Sequence, residues 1–533
     1  MVQTLQGIIV DVHERRQFPG TITIEDGHIT RMTEDETVTS NRYLIPGFVD
    51  AHVHIESSLL VPAEFARLAM PHGTIATVSD PHEIANVCGM DGVRYMLDNG
   101  EQVPLTFAFG APSCVPATTF ETAGADITAN DIRELFADER VRYLSEMMNW
   151  PGVLFNDPVV LEKLQVAREA GRPVDGHAPG LRGEQAQAYA QHGISTDHEC
   201  FTLEEALDKI AAGMKILIRE GSAARNYDAL HPLLRMHPDR VMFCCDDAHP
   251  DYLLGGHIDR HVRASISHGY DLYDVLRAAS VHPIEHYGLP VGLLRVGDRA
   301  DFLVVDSLDE IHVLETWVGG QCVARRGEAL FSRGSSTVLN RFVSSTLTPA
   351  DLADGIEAGT PIRVIVAEDG QLVTSEHHGA TSDPDVLKLV VVNRYAAATP
   401  AIAYIKGMGL TRGALASSVA HDSHNVIAVG TNDTDLAAAI NAVMAQQGGL
   451  SVADGSDVHI LPLPVAGLMS TEDAYVVAEK YTQLDAQAKA CGSPLRAPFM
   501  TLSFMALLVI PSLKLSDQGL FNGQKFEFVS VTV

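Results

Sequence analysis

The chain has 533 residues, 46% of them hydrophobic and 20% charged, so it is long enough for two to four folded domains and lacks the low hydrophobicity of disordered proteins. Its formal net charge of -30 and its pI of about 5.0 oppose attraction to phosphate backbones and anionic lipid, which argues against nucleic-acid and membrane partners. The number of histidines, 23, is less ordinary and suggests that some of them are metal ligands.

The N-terminus predicts a β-hairpin, because TITIEDGHIT alternates β-branched residues around a turn at Asp26-Gly27. A similar strand-rich stretch, RVGDRADFLVVD with VLETWVGGQCVARRG, follows the central part of the chain and turns at Gly319-Gly320. We expect residues 1–45 and 291–340 to form one small β-sandwich domain from both flanks of a larger unit. Two unrelated β appendages are the alternative.

Between these flanks, residues 46–290 repeat a short apolar run followed by a stretch with helical spacing, as in PAEFARLAMPHG and LEEALDKIAAG. The eight apolar runs are GFVDAHVH (47–54), TIATVSD (74–80), PLTFAFG (104–110), VRYLSE (141–146), RPVDGH (172–177), ISTDH (194–198), MKILIRE (214–220) and RVMFCCDD (240–247). This alternation predicts an α/β fold with a (β/α)8 TIM-like barrel. A doubly wound open sheet would give the same alternation.

Residues 346–533 predict an additional C-terminal α+β domain. It contains the strand-like KLVVVNRY and NVIAVG and the helix-like DTDLAAAINAVMAQQ. A second helix is predicted in TEDAYVVAEKYTQLDAQAKA, with Thr471 as its N-cap.

In such barrels, functional side chains lie at the carboxyl ends of the strands. The predicted ends carry four imidazoles and two carboxylates: His52, His54, Glu146, His177, His198 and Asp246. Nitrogen and oxygen donors together suit borderline divalent ions, and six ligands exceed the needs of one metal. We therefore predict two metal ions, one held by His52 and His54 and the other by His177 and His198, with Glu146 bridging them.

Further polar residues are predicted on the same rim, in substrate binding or in orienting the ligands: Glu56, Asp80, His82, Glu83, Arg219 and Asp247. For Asp80 and Glu56, capping of the following helical turn is the alternative. Because adjacent strand residues point opposite ways, only one of Asp246 and Asp247 is expected to face the metals, and Asp247 could instead belong to a local capping cluster.

A polar cluster, His421 to Asn425, precedes a strand of the C-terminal region. It either reaches the mouth of the active site as part of a cover or forms a loop that hydrogen-bonds to itself.

PGFVDAHVHIESS, with its HxH motif, resembles the amidohydrolase superfamily. VSDPHEIANVCG, LSEMMNWPGV, DGHAPGL, DHECFT and CCDDAHPDYLL are similar to the adenine deaminase family within it, as are KGMGLTRGALASSVAHDSHN and LPLPVAGLMS near the C-terminus. The resemblance spans nearly the whole chain. HxH alone is shared by hydrolases of many amides and amidines, whereas SDPHEIANV and the C-terminal blocks are more specific.

The resemblance implies hydrolytic deamination of adenine to hypoxanthine and ammonia in purine salvage, by a hydroxide that bridges two divalent ions, with Mn2+ or Fe2+ preferred over Zn2+. It also implies that Glu146 replaces the carboxylated lysine of other superfamily members and that Asp246 is the catalytic acid/base. The alternatives are another aminopurine or a cyclic amide or imide as substrate, and a non-catalytic scaffold on the same fold.

The seven cysteines form no CxxC pair, which favours a reducing cytoplasm over a disulfide framework. We also expect no signal peptide at the N-terminus, and the longest apolar run, Met500 to Ile510, is too short to cross a bilayer. Adenine and water are the predicted small-molecule partners, and a homo-oligomer, dimer or larger, is the predicted assembly.

Overall fold

A computed structural model describes residues 2–357 and 359–533. The chain opens with the strands β1 Val2–Asp11, β2 Arg16–Glu25, β3 His28–Glu34 and β4 Tyr43–Pro46. Strands β2 and β3 pair antiparallel, and both residues of the connecting turn have positive φ, 48° at Asp26 and 81° at Gly27. The glycine accepts this conformation without a steric cost, which explains the predicted turn.

Eight parallel strands follow, at the positions of the eight apolar runs: β5 Phe48–Val53, β6 Thr74–Ser79, β7 Thr106–Ala111, β8 Val141–Met147, β9 Val174–Gly176, β10 Thr196–Asp197, β11 Lys215–Arg219 and β12 Val241–Cys244. They form a curled five-stranded sheet, β5 to β9, and a three-stranded sheet, β10 to β12. Single bridges link Val174 to Ile194 between the sheets, and Val53 to Asp246 at their other ends. The sequential strand order excludes the doubly wound alternative, in which the order reverses.

Helices cover the outside of these sheets. They are α1 Pro62–Ala69, α2 His82–Gly100, α3 Ala129–Leu135, α4 Trp150–Leu154, α5 Pro158–Glu169, α6 Gly183–Gln191, α7 Leu203–Ala211, α8 Tyr227–Leu230, α9 Leu233–Met236, α10 Pro250–Leu254, α11 Ile258–Ser267, α12 Leu272–Ala279 and α13 Val281–Tyr287. Short 3-10 turns occur at Ile55–Ser58, Met70–His72 and Pro238–Arg240. The apolar side chains of these strands and helices belong to one buried core, which also includes apolar side chains of the C-terminal region.

After α13 the chain returns to the first sheet with β13 Phe302–Val305, β14 Val313–Val318, β15 Gln321–Arg325 and β16 Glu328–Ala329. Strand β13 pairs antiparallel with β4, so both flanks form one eight-stranded sheet. This sheet has its own buried cluster, in which Phe302 stacks on Trp317 with ring centroids 5.6 Å apart. The two flanks are therefore not unrelated appendages.

The C-terminal region contains a second eight-stranded sheet and a small three-stranded one. Its strands are β17 Ile362–Val366, β18 Ser375–Gly379, β19 Leu387–Val392, β20 Ala401–Lys406, β21 Ala414–Ser417, β22 Val426–Gly430, β23 Gly449–Asp454, β24 Asp457–Pro462, β25 Leu513–Ser516, β26 Gly519–Asn522 and β27 Glu527–Phe528. The helices are α14 Asp433–Ala445, α15 Ala474–Ala490 and α16 Pro498–Ser503, with 3-10 turns at Pro349–Leu352 and Phe504–Ala506. Among the helices of the described ranges, none combines the length and the apolar content needed to span a bilayer.

The prediction that Thr471 caps the second helix of this region is wrong. Helix α15 begins at Ala474, and its N-cap is Asp473, whose carboxylate accepts from the Tyr475 amide at 3.0 Å. Asp473 also pairs with Arg67 of α1 at 2.6 Å, so a contact with a distant helix contributes to fixing the cap.

Candidate active site

The structure brings the six predicted ligands together at the carboxyl ends of the parallel strands. His52 lies in β5, with His54 just after it, and Glu146 lies in β8. His177, His198 and Asp246 follow the ends of β9, β10 and β12. None of the six is more than 7% exposed. The predicted rim is therefore a single buried cluster of imidazoles and carboxylates.

Around Asp246, the distances between donor atoms match the edges of a coordination shell. The Nε2 atoms of His52 and His54 lie 3.2 Å apart, and Asp246 Oδ1 lies 3.4 Å from the first and 3.2 Å from the second. Ligands about 2.1 Å from a tetrahedral ion are about 3.4 Å from one another. Two imidazoles and a carboxylate at this spacing fit a borderline divalent cation.

Glu146 lies between the two histidine pairs. Its Oε1 is 3.4 Å from His54 Nε2, whereas its Oε2 is 2.7 Å from His177 Nδ1 and 3.1 Å from His198 Nε2. Burial alone would raise the pKa of Glu146, but the imidazoles of His177, His198 and His54 hold it well below its usual range. An ionised carboxylate with one oxygen toward each pair has the geometry that a bridging ligand needs.

The two histidine pairs are adjacent. His52 stacks on His198 with ring centroids 4.1 Å apart and an interplanar angle of 18°. His54 Nδ1 lies 3.3 Å from the carbonyl oxygen of Asp80, which therefore accepts a hydrogen bond from the ring. This contact places the proton on Nδ1 and leaves the Nε2 lone pair free for a metal ion.

The doublet at the end of β12 is resolved by its contacts. Asp246 has φ of 58°, in the left-handed region, and its amide donates to His52 O at 2.9 Å. This conformation directs the Asp246 carboxylate onto the imidazoles of His52 and His54, while the Asp247 carboxylate accepts a hydrogen bond from Ser57. Burial, and then the neighbouring Asp246, raise the pKa of Asp247. Asp246 is thus the carboxylate that faces the histidine cluster.

Sequence reasoning missed Glu199 and underestimated Arg219. Arg219 is fully buried, and its Nη1 donates to Glu199 and, at 2.5 Å, to Asp246 Oδ2. Burial would raise the pKa of Asp246, but Arg219 holds it well below its usual range. The acidic residue directly after His198 in the DHE triplet was the only sequence signal for Glu199.

Asp80 and His82 lie directly against the ligand cluster. Asp80 Oδ1 accepts from the amide of His82, the first residue of α2, at 3.0 Å, while Oδ2 lies 3.0 Å from His82 Nδ1. The same Nδ1 is 3.5 Å from Glu146 Oε1. His54, Asp80, His82 and Glu146 therefore form a further group that could hold a cation.

Comparisons with known proteins show the family of this chain. A family model described as "Amidohydrolase family" matches residues 43–367, and one described as "Adenine deaminase C-terminal domain" matches residues 364–527. A protein named adenine deaminase from Salinibacter ruber is 55% identical, covering 99% of this chain and 98% of its own. The chain belongs to the adenine deaminase family. Proteins of the same name from a Sulfurovum species and from Methanosarcina barkeri are 52% and 50% identical over 98% and 99% of this chain, and over 98% and 99% of their own.

The part matched by the adenine deaminase C-terminal model contains the segment 420–425, which reaches the active site. All six of its residues are buried. His421 Nδ1 hydrogen-bonds to Glu83 Oε1, and His424 Nε2 lies 2.5 Å from Glu83 Oε2. Asp422 Oδ1 is 3.8 Å from His82 Nε2. The prediction that this cluster covers the mouth agrees with these contacts better than the alternative of a self-bonded loop.

Glu56 lies beside Glu83 in this family member. Its Oε1 accepts from the Ile84 amide at 3.2 Å, so it caps α2 and not the turn in which it lies. Burial, and the nearby charge of Glu83, raise the pKa of Glu56 to about 7.

Proposed function

We propose that this chain hydrolyses adenine to hypoxanthine and ammonia, as an enzyme of purine salvage. The observation that carries the proposal is the combination of full-length relatives named adenine deaminase with a buried cluster of imidazoles and carboxylates at the strand ends. A different aminopurine or a cyclic amide or imide remains the alternative substrate. All six expected ligand residues are present, which argues against a non-catalytic scaffold.

The proposed cofactors are two divalent ions, Mn2+ or Fe2+ before Zn2+. His52, His54 and Asp246 would hold one, His177 and His198 the other, and Glu146 both. When bound, such ions lower the pKa of water, so that a strong nucleophile is available at neutral pH. The two oxygens of Glu146 support this division, since Oε1 lies 3.4 Å from His54 Nε2 and Oε2 lies 3.1 Å from His198 Nε2.

The reaction adds water at C6 of adenine and breaks the bond from C6 to the amino nitrogen. One proton must reach ring nitrogen N1 and another must reach the amino group before ammonia leaves. We assign both transfers to Asp246. Its Oδ2 accepts from Arg219 and its Oδ1 faces the imidazoles of His52 and His54, and we assign to Oδ1 the proton taken from water and its transfer onward. Arg219 thereby orients the carboxylate.

Asp80, His82, Glu83 and Glu56 are buried beside the cluster, where His82 Nδ1 lies 3.5 Å from Glu146 Oε1, and they are proposed to bind the purine. A carboxylate accepts hydrogen bonds from the N–H groups of adenine, whereas a protonated carboxyl or an imidazole N–H donates to its ring nitrogens. Glu56, with a pKa of about 7, can do either near neutral pH.

The finer features of the architecture are proposals as well. The two bridges between the parallel sheets support a closed eight-stranded barrel. We propose domains at 1–45 with 291–340, at 46–290 and at 346–533, and a cytoplasmic homo-oligomer.

The test is ammonia release from adenine, guanine, cytosine and dihydropyrimidines by protein grown with Mn2+, in parallel with metal analysis. We expect turnover of adenine alone, with two metal equivalents per chain, and loss of turnover after chelation that Mn2+ restores. Faster turnover of any other substrate would replace adenine in the proposal. Full activity after complete metal removal would overturn the metal assignment.

A further inference from the structure

The Glu83 carboxylate is held by side chains from the opposite half of the chain. His421 and His424 lie 338 and 341 positions further along, in the segment 420–425, and each contacts one carboxylate oxygen. All three side chains are at most 3% exposed. A carboxylate at this depth is stable as an anion only when donors satisfy it, and these two rings supply them.

The direction of one hydrogen bond is fixed by the backbone. The Ala420 amide donates to His424 Nδ1 at 3.2 Å, so Nδ1 is the accepting nitrogen. The proton of a neutral imidazole is then on Nε2, which lies 2.5 Å from Glu83 Oε2. The Ala420 amide therefore makes His424 Nε2 the donor to Glu83.

The segment itself is rigidly supported. The His421 ring stacks on Phe504 with centroids 4.6 Å apart and an interplanar angle of 15°. The buried guanidinium of Arg394 donates to His424 O at 3.3 Å, and Tyr395 OH donates to Ser423 O at 2.5 Å. Arg394 and Tyr395 lie just after β19, so the C-terminal sheet supports the segment whose two imidazoles hold the Glu83 carboxylate.

We infer that His421 and His424 are positioning residues that fix the Glu83 carboxylate in the active site, so that the C-terminal region completes a site otherwise built on the parallel strands. This inference rests on the proposed deamination for its functional consequence. Glu83 Oε2 keeps a second lone pair that can accept from a substrate N–H, whereas Oε1 also lies 3.5 Å from His82 Nε2. Without the two rings, the carboxylate would lose its orientation or take up a proton.

The test replaces each of the two histidines either by leucine, which has no N–H donor, or by an amide residue, which has one. His421→Asn returns an N–H near the place of Nδ1, and His424→Gln returns one near Nε2, whereas His421→Leu and His424→Leu return none. We expect each leucine variant to lower kcat/KM for adenine about 10- to 100-fold, as for loss of a hydrogen bond to a charged group, and each amide variant to restore most of it. Metal content should equal that of the wild type. The control is His377→Leu, at an exposed position of β18, which should change neither value.

A second measurement does not depend on turnover. In metal-free protein, His424→Leu should lower the urea midpoint, and the shift should be much smaller when Glu83→Gln is already present, because the lost contact no longer involves a buried charge. Equal shifts in both backgrounds, or amide variants as impaired as leucine variants, would overturn the inference. If the wild type does not release ammonia from adenine, the proposed function fails. The comparison of urea midpoints still decides whether His424 holds the Glu83 carboxylate.

Discussion

Replacing Arg219 by methionine is predicted to destabilise the parallel-strand region strongly. The guanidinium is fully buried and donates to Glu199, to Asp246 Oδ2 at 2.5 Å and to Ala224 O at 2.6 Å. Its removal leaves two buried carboxylates without their shared cation. Breaking a buried ion pair by removing one partner costs about 3 to 5 kcal/mol, so we expect Arg219→Met to lower the free energy of unfolding by about that amount in metal-free protein.

The assay is urea unfolding followed by circular dichroism, with Arg225→Met as the matched control. Arg225 is 3.6 Å from Glu220 in a partly exposed pair, and its loss should cost at most about 1 kcal/mol. Adding Glu199→Gln to Arg219→Met should recover part of the loss, because one of the stranded charges is then gone. If Arg219→Met unfolds at the same urea concentration as Arg225→Met, the ion pairs of Arg219 with Glu199 and Asp246 do not stabilise the fold as argued.

Three further predictions concern the cluster and the C-terminal region. His177→Ala should lose about one metal equivalent and most turnover while the circular dichroism spectrum is retained; unchanged metal content with full activity would contradict its assignment as a ligand. Asp246→Asn should keep both metals and lose turnover, whereas comparable activity would transfer the proton-moving role to another group. Burial lowers the pKa of Lys514 to about 7, so the unfolded chain, in which lysine titrates near 10.4, binds more protons between these values. The free energy of unfolding should therefore rise from pH 7 to 10 by up to about 1.4 kcal/mol per pH unit relative to Lys514→Met; urea midpoints of the two proteins at pH 7, 8 and 9 measure the difference, and parallel pH profiles would contradict it.

The local sequence patterns predicted the positions of the strands and of the first turn. All eight parallel strands lie at the predicted apolar runs, and the turn at Asp26-Gly27 is where its sequence indicated. His52 and His54 share a face because the side-chain period of a strand is two. The other ligand positions were accessible because a sequential parallel sheet places all of its carboxyl ends on one rim.

Contacts between distant side chains were not accessible in this way. Glu199 follows a strand of only two residues, and nothing in the local pattern indicates that Arg219 bridges it to Asp246. The contacts of His421 and His424 with Glu83 depend on how two independently patterned regions pack. A periodicity argument describes one element at a time and carries no information on which elements meet.

Asp50 illustrates the same limit inside a single strand. It reads as an ordinary polar residue of β5, yet its Oδ1 accepts from the Cys245 amide at 3.1 Å and from the His52 amide at 3.3 Å. Its Oδ2 lies 2.9 Å from His257 Nε2, and His257 Nδ1 lies 2.6 Å from Thr74 Oγ1. These buried contacts join the first parallel strand to the residue that follows the last one, and they include the backbone of the candidate ligand His52.

Because β4 pairs with β13, the long segment between these two strands begins and ends at neighbouring positions of one sheet. A protease cut in an exposed loop of that segment would give two fragments, each of which still contains strands of the shared sheet. Such pieces should remain associated and should reassemble when expressed separately, so this protein offers a natural place to divide the polypeptide into complementing fragments.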